Sequence, residues 1–101
     1  MNKRIELHHI LCDILGTNNV YYQPPETLQM KYPCIRYNKI GIESKYADNK
    51  KYNNKTRYQI IYIDKNPDNA TIEKILDLPL TSFDRHYASN NLHHDVVDIY
   101  Y

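Results

Sequence analysis

Apolar residues at Leu7, Ile10, Leu11, Ile14 and Leu15 trace one stripe of an α-helix and predict a helix over Lys3–Leu15. Asn2 is placed to cap its start, and Gly16 to follow its end. The period then changes from helical to alternating. Val20-Tyr21-Tyr22 reads as a short strand, closed by Gln23-Pro24-Pro25-Glu26, where the prolines offer no donor to a ladder. From Pro33 to Tyr46 a long β segment puts Ile35 and Tyr37 on one face, then Ile40 and Ile42 on the other. That change of phase predicts a bulge between Asn38 and Gly41. The polar stretch Ala47 to Asn54 reads as a hairpin loop. Lys55 to Asp64 is apolar on both faces (Ile60 and Tyr62; Ile61 and Ile63), which predicts a central strand covered on both sides. On that reading Ile61→Asp unfolds the domain. Asn66-Pro67-Asp68-Asn69 offers caps for a short helix carrying Ile72, Ile75 and Leu76, stopped by Pro79. Strands over Leu80–Tyr87 and Leu92–Tyr100, joined by Ser89-Asn90-Asn91, close the pattern.

The order α-β-β-β-α-β-β predicts an α+β fold: a mainly antiparallel sheet with two helices, in a single domain over residues 1–101. Thirteen Lys and Arg against twelve Asp and Glu leave a net charge of +1, which argues against a strongly basic nucleic-acid binder and an acidic tail. No apolar run approaches the ~20 residues that cross a bilayer. Met1-Asn2-Lys3-Arg4 leads into a polar-studded helix, so no secretory signal is expected. Tyr, Ile, Asn and Lys fill 43 of 101 positions, the mark of AT-rich coding, yet the eleven tyrosines still need partners for their hydroxyls.

Candidate chemistry is sparse. Cys12 and Cys34 lie within apolar patterns and lack zinc-ligand spacing, so both are expected to be buried, reduced thiols. His8-His9 sit on the first helix. His93 and Asp95 would share a face of the last strand, as a metal pair does, or a base with its orienting carboxylate, with His86 nearby. No third ligand is identifiable, and surface polar roles are the plainer reading. Glu43-Ser44-Lys45 has the Glu-x-Lys spacing of restriction-enzyme-like nucleases, which hold a divalent metal. The only Pro-Asp, Pro67-Asp68, follows it instead of preceding it, and Val20 to Gln23 contains no Asp. Asn54-Lys55-Thr56 and Asn69-Ala70-Thr71 match the glycosylation pattern but carry no meaning without a signal peptide.

Charge gathers in one place. Lys45, Lys50, Lys51, Lys55 and Arg57 against Asp48 give a local +4, interleaved with Tyr46 and Tyr52. Such a mixture can hold nucleic acid through phosphate contacts and stacking, or simply solvate a loop. Asp84, Arg85, Asp95 and Asp98 sum to −2 elsewhere, and opposite lobes on one subunit suit head-to-tail association.

Several longer stretches carry a resemblance. They are Val20-Tyr21-Tyr22-Gln23-Pro24-Pro25-Glu26, Met30-Lys31-Tyr32-Pro33-Cys34-Ile35-Arg36-Tyr37, Tyr46-Ala47-Asp48-Asn49, and the strand Arg57 to Asp64 with Pro67-Asp68. Leu78-Pro79-Leu80, Phe83-Asp84-Arg85 and Asn91-Leu92-His93-His94-Asp95 complete the set. Together, and in this order, they resemble the small tail-completion, tail-terminator-like proteins of tailed bacteriophages and prophages. The resemblance implies a tail-terminator-like fold and a homo-oligomeric ring, usually a hexamer, at the head-proximal end of the tail tube. Such a ring ends tube polymerisation and meets the head-tail connector, while DNA passes through its lumen with transient, non-specific contact. It further implies a virion protein assembled in the host cytoplasm, with no catalysis, cofactor, metal or membrane contact. On this reading Lys45, Tyr46, Lys50, Lys51, Tyr52 and Lys55 belong to a ring-facing or lumen arm. Pro24 and Pro25 stiffen a contact loop, and Tyr100 and Tyr101 pack on a neighbour. The alternatives are another neck protein (a connector, or a head-completion or minor capsid protein) and, more distantly, a metal-dependent nuclease.

Overall fold

Leu7 and Leu11, one turn apart, are completely buried and set helix α1 (Lys3–Leu15) against the sheet. The computed structural model of the chain describes residues 3–25, 29, 31–47, 50–66 and 70–101, with side chains described outside 43–47 and 50–55. Gly16 ends α1 in the left-handed region at φ 81°, and its amide donates to the Cys12 carbonyl at 2.8 Å. The cap expected at Asn2 lies outside the described residues.

Five strands follow: β1 (Val20–Tyr22), β2 (Cys34–Ala47), β3 (Lys50–Asp64), β4 (Thr81–Ser89) and β5 (Leu92–Tyr100), with α2 (Thr71–Leu76) between β3 and β4. They form one sheet in the order β1-β2-β3-β5-β4. All neighbours are antiparallel except β1 and β2, which run parallel. The fold is α+β, with the element order read from the sequence, and β3 is its central strand.

The register of β2 on β3 shifts between Lys39 and Gly41, inside the interval where the apolar phase changes. A second shift, between Lys45 and Tyr46, has no such signal. The hairpin loop expected over Ala47 to Asn54 is instead mostly strand: β2 runs through Ala47, and β3 begins at Lys50. Backbone pairing needs no apolar period, so a ladder of Lys and Asn remains invisible to a hydrophobic pattern. Asn90 and Asn91, at φ 52° and 63°, make the tight two-residue turn between β4 and β5, while Ser89 already pairs with Leu92.

The caps expected for α2 are not found among the described residues. Asn66 turns its amide onto Asp64 at 3.2 Å, and 67–69 lie outside the described residues. The cap position falls on Ala70, without a side-chain bond. Burial of Ile75 anchors this short helix, and the Thr81 hydroxyl closes its end by donating to the carbonyls of Leu76 and Leu78.

Both helices pack on the same face of the sheet. Leu7, Leu11 and Ile75 join Ile35, Tyr37, Tyr58, Ile60, Tyr62, Val97 and Ile99 in one buried cluster, and strand alternation with the register puts all seven sheet residues on that side. This corrects the expectation that β3 is covered on both sides. On its other face Cys34, Ile63 and Val96 are buried by their neighbours, Ile61 is only half-buried, and no helix lies over them among the described residues. The core also answers the tyrosine question in part. The Tyr37 hydroxyl sits 2.8 Å from His8 Nδ1 and accepts from Arg4 at 3.4 Å, and Tyr62 donates to Asp64 at 2.7 Å. Arg4 lies 4.4 Å over the Tyr22 ring, which packs on Tyr37 with centroids 4.9 Å apart.

Candidate functional site

The longest strands outrun the sheet. β1 pairs with β2 only over Ile35–Tyr37, and β5 pairs with β3 only from Arg57 inward. Beyond Gly41 and Thr56, β2 and β3 therefore continue as a two-stranded ribbon to Ala47 and Lys50. Six residues at about 3.4 Å each make this ribbon about 20 Å long. The molecule measures 51 Å along its longest axis and 24 Å across. Lys45, Tyr46, Lys50, Lys51, Tyr52 and Lys55 all lie on the ribbon backbone, with Tyr46 opposite Lys51 and Glu43 opposite Lys55; their side chains lie outside the described residues. Glu43-Ser44-Lys45 is on the same ribbon, with its side chains outside the described residues. A two-stranded ribbon without a layer on either face is marginal in water, because it buries too little apolar surface to offset the entropy of ordering it.

The base of the ribbon gathers the remaining interface candidates. The Gln23 amide donates to the Tyr37 carbonyl at 3.0 Å, and its side-chain oxygen accepts from Lys39 at 3.5 Å, which ties the Pro24-Pro25 turn beside one edge of the base. At the other edge Tyr101 donates its amide to Thr56 at 2.9 Å, and Tyr100 to Leu80 at 3.2 Å. Tyr100 and Tyr101 line a groove of about 450 Å³ with Lys3, Glu6, Ile10, Ile99 and the Leu78-Pro79-Leu80 turn. Large apolar side chains stay in water here: Ile40, Ile42 and Leu80 are 44, 61 and 54% exposed. Leu80 holds φ 60°, a conformation that costs a branched side chain energy and that turns the chain from α2 into β4. Sequence reasoning missed Leu80, Ile40 and Ile42 as surface residues. The bulge was readable, but not that it sets Ile42 opposite Thr56, on the helix-bearing side of the sheet yet beyond the core, where it stays exposed.

The basic and acidic groups meet at one point among the described residues. Arg57, counted with the basic cluster, pairs with Asp98 of the acidic group at 2.9 Å across β3 and β5. Asp84 is paired with Arg85 at 3.1 Å, and Asp95 with His86 at 2.6 Å. Exposed pairs of this kind contribute little to stability. The helix-free face of the sheet is polar along its middle: Arg36 Nε, Asn38 Oδ1 and Asp98 Oδ1 are buried there without a hydrogen-bond partner among the described residues.

The opposite end of the sheet holds the histidines. His93 and Asp95 do share a face of β5, but the carboxylate serves His86 on β4. His86 Nε2 in turn faces His93 Nδ1 at 3.4 Å. His94, on the other face, stacks on Tyr87 with centroids 4.6 Å apart, and burial holds its imidazole below the usual range. His8 is held low as well, by burial first and then by the charges of Arg4 and His9. Cys34 is fully buried, which pushes its thiol up to about 11, whereas Cys12 is only half-buried; both are free. A thiol so rarely ionised is a poor nucleophile. Among the described residues no group of three or more His, Cys, Asp or Glu is arranged to hold a metal ion. No helix is long and apolar enough to cross a membrane.

No protein-family model matches the chain, and no curated protein matches it.

Proposed function

We propose that this chain is a structural virion protein of the tail-terminator kind, which assembles with copies of itself into a ring, six-membered on its resemblance, at the head-proximal end of a tail tube. One observation carries the reading. The ribbon, the Pro24-Pro25 turn, Tyr100-Tyr101 and the exposed Ile40, Ile42 and Leu80 all converge on one end of the sheet. A ribbon about 20 Å long gains its missing cover by lying on another molecule. An arm that lies on a different patch of its neighbour makes a heterologous contact, which closes into a ring where the rotation between subunits closes. Exposed Ile40, Ile42 and Leu80 supply apolar surface for the desolvated centre of such a contact. The near-zero net charge lets DNA slide through a lumen instead of binding there. The resemblance, which runs through nearly the whole chain, supplies the role: the ring covers the addition surface of the last tube ring and offers no copy of it, with the head connector on its other side.

The test uses light scattering and negative-stain microscopy of the full chain, alone and with tube protein. Rings of uniform size that halt tube growth are expected. Replacing 43–54 by Asn-Gly, checked by circular dichroism for retained fold, should leave a monomer, and Lys50→Glu/Lys51→Glu should weaken assembly with the fold intact. A truncated chain that still forms rings overturns the role of the ribbon. Rings that bind connector but leave tube growth unchanged overturn the terminator role and favour another neck position.

A further inference from the structure

The geometry points to a zinc site on the β4–β5 hairpin, formed by His86 and His93 and set by Asp95, at the end of the sheet far from the ribbon. Three features of the pair argue for a shared cation. First, Asp95 Oδ1 lies 2.6 Å from His86 Nδ1, so the carboxylate holds the ring proton on that nitrogen and leaves a lone pair on Nε2. That is the carboxylate–histidine arrangement by which outer residues orient a metal ligand and raise its basicity. Second, this nitrogen faces His93 Nδ1 at 3.4 Å. The distance is long for a hydrogen bond, whose usual span is about 2.9–3.0 Å. It equals the edge of a tetrahedron with metal–nitrogen bonds of about 2.0–2.1 Å, which is zinc geometry. Square-planar or octahedral neighbours at similar bond lengths would sit closer, near 2.8–3.0 Å by the same trigonometry of about 90° angles.

Third, the surroundings suit a cation and leave it accessible. His86 keeps 40% of its side chain in water, and the two rings lie stacked, with centroids 5.4 Å apart and planes 24° from parallel. Asp95 flanks the pair, and Asp64 lies opposite His93 in the register. Asp64 already accepts from Tyr62 and Asn66, so it contributes field and not a bond. The site therefore has two protein ligands, with water in the remaining positions. Bound there, the ion ties β4, an exposed edge strand, to β5.

Calorimetry of the full chain with ZnCl2 and with MgCl2 tests this directly. One zinc per chain and no magnesium are expected. His86→Ala and His93→Ala should each weaken zinc binding about tenfold or more, and Asp95→Asn about tenfold, while His9→Ala changes nothing. In the unaltered chain, imidazole 15N resonances of His86 and His93 should shift on adding zinc, a readout that needs no variant to fold. Absence of zinc binding, undiminished binding in His86→Ala/His93→Ala, or shifts at other histidines alone would overturn the assignment.

Discussion

Ile60 and Ile61 are neighbours on the central strand with opposite fates, and an Asp at each position measures how differently the two faces of the sheet are built. Ile60 is 0% exposed, on the face where Leu7, Leu11 and Ile75 pack. Truncating such a side chain costs about 2–5 kcal/mol. A carboxylate left in the same space, with no partner, adds several kcal/mol more. A domain of this size holds only about 5–15 kcal/mol in total, so Ile60→Asp is expected to leave no cooperative transition. Ile61 is half-buried on the helix-free face, opposite Arg36 and Val96. Its replacement forfeits about 1–1.5 kcal/mol of partial burial and regains about 0.2–1 kcal/mol from a cross-strand pair with Arg36. Ile61→Asp should therefore remain soluble and melt cooperatively, about 4–8 °C lower for each kcal/mol lost. The assay is thermal and urea unfolding followed by circular dichroism. Loss of the transition in both variants would refute the one-sided core; so would a near-normal melt of Ile60→Asp.

Three further outcomes are expected. Tyr62→Phe removes the 2.7 Å bond to the buried Asp64 and should cost about 1.5–3 kcal/mol, read as a lower urea midpoint at constant slope. Because His8 is held below 6.5 in the fold, the unfolded chain takes up its proton first; stability should be lost as pH falls from about 6.5 through the folded value, His94 acting in the same direction, and His8→Gln should flatten the melting temperature between pH 7 and 5. Gly16→Ala meets no atom within 4 Å, so its cost is the backbone conformation alone at φ 81°, about 1 kcal/mol in thermal unfolding.

The features legible along the chain are local. The stripe from Leu7 to Leu15 defines α1, the phase change at Asn38–Gly41 marks the bulge, and the dense Ile and Tyr of β3 mark the centre of the sheet. Each of these is a relation between near neighbours along the chain, where side-chain period and backbone geometry are the same fact. Tertiary structure decided the rest. Which face of β3 receives both helices depends on residues far apart in sequence, and apolar residues on both faces of a strand cannot state it. The ribbon was hidden because hydrogen-bonded ladders carry no hydrophobic signature, so Lys50 to Asn54 read as a loop. Pro24-Pro25, Tyr100-Tyr101 and Leu80 meet at the ribbon base only through the sheet register. The same register hands Asp95 to His86 instead of His93, a cross-strand choice that spacing within one strand cannot make.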